Sequence, residues 1–206
     1  MSATDNDWND HALLLIDVQQ DFWPADIATA HPDFEHNVTS LLALCRAEGI
    51  DVVHLHAAFK PDRTDWMLRY RLGDGIPCVA GTPGAEVLPC ARPAPGEQVF
   101  VKQTFDAFLQ PDFARWLDAS DKRILLLAGL QTSVCVLLTA AAAAQRGFLA
   151  CVVEDCCADQ ADAHAQTLAK YPFIFDRTGV DRIRDEHGRW RAALAQLDES
   201  ARSAMP

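Results

Sequence analysis

The sequence predicts a three-layer α/β fold, with helices on both faces of a mostly parallel, doubly wound sheet of about six strands. Short apolar runs alternate with helical patterns along nearly the whole chain. The runs show little polar alternation, as expected of parallel strands buried on both faces. A length of 206 residues with no linker, repeat or low-complexity tract points to one domain spanning 1–206.

The first strand is predicted at His11–Val18 (HALLLIDV) and carries an acid near its end. A helix over Asp33–Glu48 follows, closed by Gly49, where a left-handed C-cap residue belongs. Ile50–Ala57 (IDVVHLHA) is rich in β-branched residues and reads as the second strand. The connection at about 59–97 is long, irregular and dense in proline and glycine, the character of a lid or binding loop. Strand Gln98–Lys102, helix Pro111–Ala119 and strand Arg123–Gly129 come next. The alanine-rich helix Ser133–Arg146, closed by Gly147, leads to strand Phe148–Glu154. Helix Ala161–Lys170, strand Tyr171–Asp176 and a terminal helix from Arg182 to Arg202 with a frayed tail complete the order.

Composition excludes several function classes. A formal net charge of -11 gives the wrong sign of field for nucleic acid or an anionic membrane. No apolar run approaches the roughly 18–20 residues needed to cross a bilayer, and Met1–Asp10 is acidic and polar, unlike a secretory signal, so cytoplasmic residence is the expectation. Seven cysteines, an odd number with no CxxC pair, argue against a disulfide framework or a zinc finger.

In doubly wound sheets, functional groups collect at the C-terminal ends of the strands. Asp17 closes the first strand, Lys102 closes the strand after the long loop, and Cys135 follows the RILLLAG strand in the turn Gly129–Cys135. An acid, an ammonium and a thiol are thereby brought to one sheet edge. Cys135 falls in the first turn of a helix, a position expected to lower a thiol pKa. Asp17 can serve as base, Cys135 as nucleophile, backbone N–H groups of the Leu130–Cys135 turn as oxyanion donors, and Lys102 as the group that holds acid and thiolate in register.

LLLIDVQQDF, VFVKQTFDAF and AGLQTSVCV together resemble the isochorismatase-like cysteine hydrolases, which include nicotinamidases, carbamoylsarcosine amidases, ureidoacrylate amidases and biuret hydrolases. The resemblance runs from about His11 to Asp176. It implies a catalytic triad of Asp17, Lys102 and Cys135, a cis peptide at Leu130-Gln131 that aims N–H groups at the oxyanion, and a homo-oligomer, dimer or tetramer. The family's nicotinamidases carry an Asp-x-His metal motif after the second strand, but here that region reads His54-Leu55-His56-Ala57, so no catalytic metal and no cofactor are expected. The cysteine favours hydrolysis of a C–N bond in a small amide, ureido or carbamoyl compound through a thioester. The alternatives are an isochorismatase-type hydrolase of another bond, which would not need the thiol, and a non-catalytic redox-sensing domain that uses Cys135 as an oxidisable group.

Phe22, Trp23, Phe105 and Phe108 flank the triad motifs and are candidates, with His56 and Gln131, for the substrate pocket. Lys60, Arg63, Arg69 and Arg71 form a basic group on the long loop, able to attract a carboxylate, although a solvated loop explains them more simply. His164 is a weaker candidate for a base, and Cys156 and Cys157 are expected to pack rather than react.

Overall fold

The computed structural model describes residues 7–203; the acidic segment 1–6 and the tail 204–206 lie outside the described residues. Six strands form one sheet: β1 His11–Ile16, β2 Asp51–Ala57, β3 Gln98–Lys102, β4 Ile124–Leu130, β5 Leu149–Ala158 and β6 Asp176–Thr178. Their order is β3-β2-β1-β4-β5-β6, and every neighbouring pair is parallel. The chain reverses its direction of winding between β1 and β4, and a crevice opens beyond the strand ends at such a point.

Side-chain alternation along the strands builds two cores. Leu13, Leu15, Val52, Leu126 and Ala128 point to one face, where they meet α2 (Phe34–Glu48) and α7 (Ile183–Ser203). Leu14, Ile16, Val53, Leu55 and Leu127 point to the other, against α4 (Pro111–Asp118), α5 (Leu137–Gln145) and α6 (Ala161–Lys170). Helix α2 shows how pattern becomes packing: Phe34, Val38, Leu41, Leu42 and Cys45 recur at helical spacing and are all buried. Gly49 then ends it at φ 74°, in the left-handed region.

Four elements depart from the sequence expectation. The sixth strand begins at Asp176, because Tyr171–Phe175 folds into a tight turn in which Ile174 N–H donates to Tyr171 O at 3.0 Å. Pro172, which has no N–H to give a ladder, lies inside that turn. Strand β5 runs on to Ala158 after a register shift, with Leu127 opposite Val152 but Gly129 opposite Cys157. A short helix, α1 (Ala25–Ala30), fills a stretch that showed no pattern, and the long connection contains α3 (Leu68–Arg71) among single turns. No helix among the described residues is long and apolar enough to cross a membrane.

Candidate active site

Asp17 leaves β1 at φ 51°, a left-handed conformation in which its own N–H donates to Leu55 O at 2.8 Å. The IDVQQDF segment then fastens the long loop over the strand ends. Buried Gln19 donates through Nε2 to Ala57 O and Ala85 O at 2.9 and 2.8 Å and accepts from Ala57 N at 2.8 Å. Asp21 accepts the Cys78 N–H at 2.7 Å, and its carboxylate lies where a side chain at Gly84 would stand.

Beyond β4 the Leu130-Gln131 peptide is cis, and the chain enters a wide turn over Thr132–Val136 before α5. Gly129 sits at φ 124°, and a Cβ there would overlap the Ile16 carbonyl oxygen, so only glycine allows β4 to lie this close to the end of β1. The turn is pinned from both sides: Val134 and Val136 N–H donate to Gln131 O at 3.1 and 3.2 Å. Asp159 Oδ2 accepts from Ser133 N and Oγ at 2.8 and 2.6 Å.

Lys102, at the end of β3, ties the three groups together. Its Nζ donates to Asp17 Oδ2 at 2.6 Å, to Thr104 O at 2.9 Å and to Cys135 Sγ at 3.5 Å. An ammonium has three protons, and these three acceptors account for them. Asp17, Lys102 and Cys135 are 0%, 1% and 6% exposed. Burial works against the Lys102 ammonium, but Asp17 and Cys135 outweigh it and raise its pKa, so the lysine stays charged. Burial raises the Asp17 carboxyl, with Lys102 pulling it back. The Cys135 thiol departs from the sequence expectation of a lowered pKa: burial, and then the Asp17 carboxylate beside it, push it up against the pull of Lys102. At rest the lysine is therefore charged and the thiol neutral, with the buried Asp17 carboxyl group beside both. Asp17 Oδ1 is buried with no hydrogen bond at ordinary distance, although the thiol acts on this same carboxylate.

The three groups form the floor of a cavity of about 200 Å³. Phe22, Phe105 and Gln131 stand on its wall as the sequence suggested. Phe59, Met67, Tyr70 and Pro77 of the long loop complete it, and no sequence signal singled them out. Three other pocket candidates lie elsewhere. Trp23 turns away to pack on Phe34, ring centroids 4.5 Å apart, and donates to Glu35 at 3.1 Å. Phe108 is buried between Phe113 and Phe148, with Arg146 over its ring at 4.8 Å. His56 faces the opposite side of β2 from Ala57, which does reach the cavity, and its ring lies 5.9 Å from that of His54. His54 in turn bonds Glu97 at 2.9 Å.

His164 contacts the site only through Thr132, Nδ1 to Oγ1 at 2.9 Å. Cys156 and Cys157 are packed on opposite faces of the sheet. The basic loop residues do not reach the cavity. Arg71 donates to Thr64 O and Trp66 O at 2.6 and 3.0 Å, and Arg63 lies over the Trp66 ring. Sequence reasoning missed Asp159, because the predicted end of its strand at Glu154 hid a strand-end acid.

A family model described as Isochorismatase domain matches residues 11–172, most of the chain and all three motifs. The chain belongs to the isochorismatase family. This isochorismatase-family hydrolase has amidases among its relatives. Maleamate amidohydrolase of Pseudomonas putida is 32% identical over 165 residues, which are 76% of this chain and 76% of that protein. An isochorismatase family protein of Desulfovibrio vulgaris is 30% identical, with a TM-score of 0.77 over 86% of this chain and 97% of that one. The N-carbamoylsarcosine amidase of Thermoplasma acidophilum shares the fold, with a TM-score of 0.73 at 24% identity over 84% of this chain and 98% of that one.

Proposed function

We propose that this hydrolase is a cysteine amidase that cleaves a C–N bond of a small amide, ureido or carbamoyl compound through a thioester on Cys135. The observation that carries this reading is the single ammonium of Lys102 held against both Asp17 and Cys135 on the cavity floor. Amidase relatives support the choice of bond.

A neutral thiol beside a buried carboxylate is a proton donor beside a base. As the sulfur attacks the substrate carbonyl, its proton passes to Asp17, and the Lys102 ammonium offsets the negative charge that moves from carboxylate to sulfur and on to oxygen. The oxyanion is received by N–H groups of the 130–135 turn, Cys135's own among them; those of Ser133 and Val134 are committed to Asp159 and Gln131. Collapse breaks the C–N bond, and the amine or ammonia leaves with the proton from Asp17. A water molecule then gives a proton to Asp17 and its hydroxide to the thioester carbonyl. The acid departs, and the sulfur recovers a proton from Asp17.

Seven free cysteines support residence in a reducing compartment as part of the same proposal. The test is ammonia release from a panel of small amides, ureides and carbamoyl compounds, with Cys135→Ala as the blank. Loss of at least about 10³-fold in the variant is expected. Turnover unchanged by Cys135→Ala overturns the reading.

A further inference from the structure

We propose that the cavity selects uncharged small amides with an apolar acyl group and rejects amides that carry a carboxylate. The inference rests on the amidase reading above and names the substrate class of that site.

Among the described residues the cavity lining contains two formal charges, Asp17 and Lys102, and these are bonded to each other at 2.6 Å. The lysine has no proton to spare, since Thr104 O and Cys135 Sγ take the other two. The Thr104 hydroxyl on the wall is also spent, donating to Asp106 O at 2.7 Å. The side-chain donors left on the wall are the Tyr70 hydroxyl and the Gln131 amide, both neutral. They suit an amide or a carbonyl oxygen. They cannot neutralise a carboxylate, which would be desolvated against Phe22, Phe59, Met67 and Phe105 with no cation to pair it.

Nothing on the loop changes this balance. Arg63 and Arg71 are occupied with Trp66 and with backbone carbonyls, and neither lines the cavity, nor do Lys60 and Arg69. The net charge of -11 sets a field that disfavours an approaching anion as well. Size sets the other limit: at about 200 Å³ the cavity falls below the roughly 300–1,000 Å³ typical of drug-sized ligands. A short aliphatic or single-ring acyl group fits that space.

The experiment compares kcat/KM for cis-2-butenamide with that for maleamate, in which a carboxylate replaces the methyl group, and for the analogue with an ammonium-bearing methylene in that place. Ammonia release is read, and each substrate is repeated with Cys135→Ala. A preference of at least about 100-fold for the uncharged amide over both charged ones is expected. In Met67→Arg, which puts a cation on the wall, the ratio of maleamate to butenamide turnover rises at least about 10-fold. Cys135-dependent turnover of maleamate or the ammonium analogue equal to that of the uncharged amide overturns the selectivity while leaving the amidase reading intact. Hydrolysis that persists in Cys135→Ala, or no hydrolysis of any amide in the panel, charged or uncharged, overturns both.

Discussion

Replacing Lys102 by methionine removes the charge that makes a buried carboxylate tolerable. Asp17 is 0% exposed and bonds the ammonium at 2.6 Å, so the variant leaves it buried with no cation. Breaking a buried pair from one side costs about 3–5 kcal/mol. For a domain of this size, where each kcal/mol moves the Tm by about 2–4 °C, that is a fall of roughly 6–20 °C. The loss has a pH signature. Burial raises the Asp17 pKa above its unfolded value of 3.8, so in the folded state the group holds a proton that the unfolded chain has lost. Its contribution is therefore fully present below pH 3.8 and fades as pH rises through the folded pKa. Without Lys102 to pull it back, that folded pKa climbs further, and the penalty relative to wild type grows from pH 4 to pH 8. Asp17→Asn combined with Lys102→Met replaces the charged pair by a neutral one and recovers at least about 2 kcal/mol of the single-variant loss, while amidase activity stays absent in both. Urea denaturation at pH 5 and pH 8 measures all three proteins. A single variant within about 1 kcal/mol of wild type at both pH values, or a double variant less stable than the single, would refute the reasoning.

Other perturbations follow from the same geometry. Gly129→Ala forces a Cβ into the Ile16 carbonyl at φ 124°, and a loss of more than about 3 kcal/mol, or failure to yield soluble protein, is expected; a wild-type Tm contradicts it. Asp159→Ala frees the Ser133 N–H and hydroxyl that fix the turn carrying Cys135, so kcat drops about 10–100-fold with KM within about two-fold, and steady-state kinetics decide. Glu97 is held at a pKa of about 2: burial works to raise it, but Arg46, the Ala94 N–H and His54 together lower it. A depressed carboxyl contributes stability above its unfolded value of 4.5 that is lost as pH falls towards 2, so Glu97→Gln loses stability at neutral pH and flattens the acid limb of the stability curve over that range. An acid limb as steep as that of wild type would show that the group is not so held.

The sheet and the meeting of Asp17, Lys102 and Cys135 were legible because their signals are local. An apolar run leading to Asp17 marks a strand and its exit, Lys102 ends a second strand, and Cys135 lies in the turn just past a third. Parallel order then brings the three ends together whatever the loops do. The cavity wall was not legible for the opposite reason. Which side of an irregular loop faces inward depends on anchors distant in sequence, such as the Asp21 carboxylate on Cys78 N or the Gln19 amide on Ala85 O, so nothing marked Met67, Tyr70 or Pro77. Nearness in sequence misled at Trp23 and Phe108, which follow triad motifs but turn into the core or against α2. At His56 the period of two was available and would have placed it opposite Ala57. The thiol pKa was misjudged because a helix-start argument takes no account of burial, which here is the larger effect.

In the proposed mechanism Cys135 carries the acyl group during turnover. Intact-mass spectrometry of the enzyme, acid-quenched within milliseconds of mixing with a hydrolysed amide, tests it most directly. A mass increase equal to the acyl group is expected, removed by hydroxylamine, mapped to Cys135 and absent in Cys135→Ala. Turnover at full rate with no adduct on Cys135 under single-turnover conditions, or an adduct that survives Cys135→Ala, would contradict it.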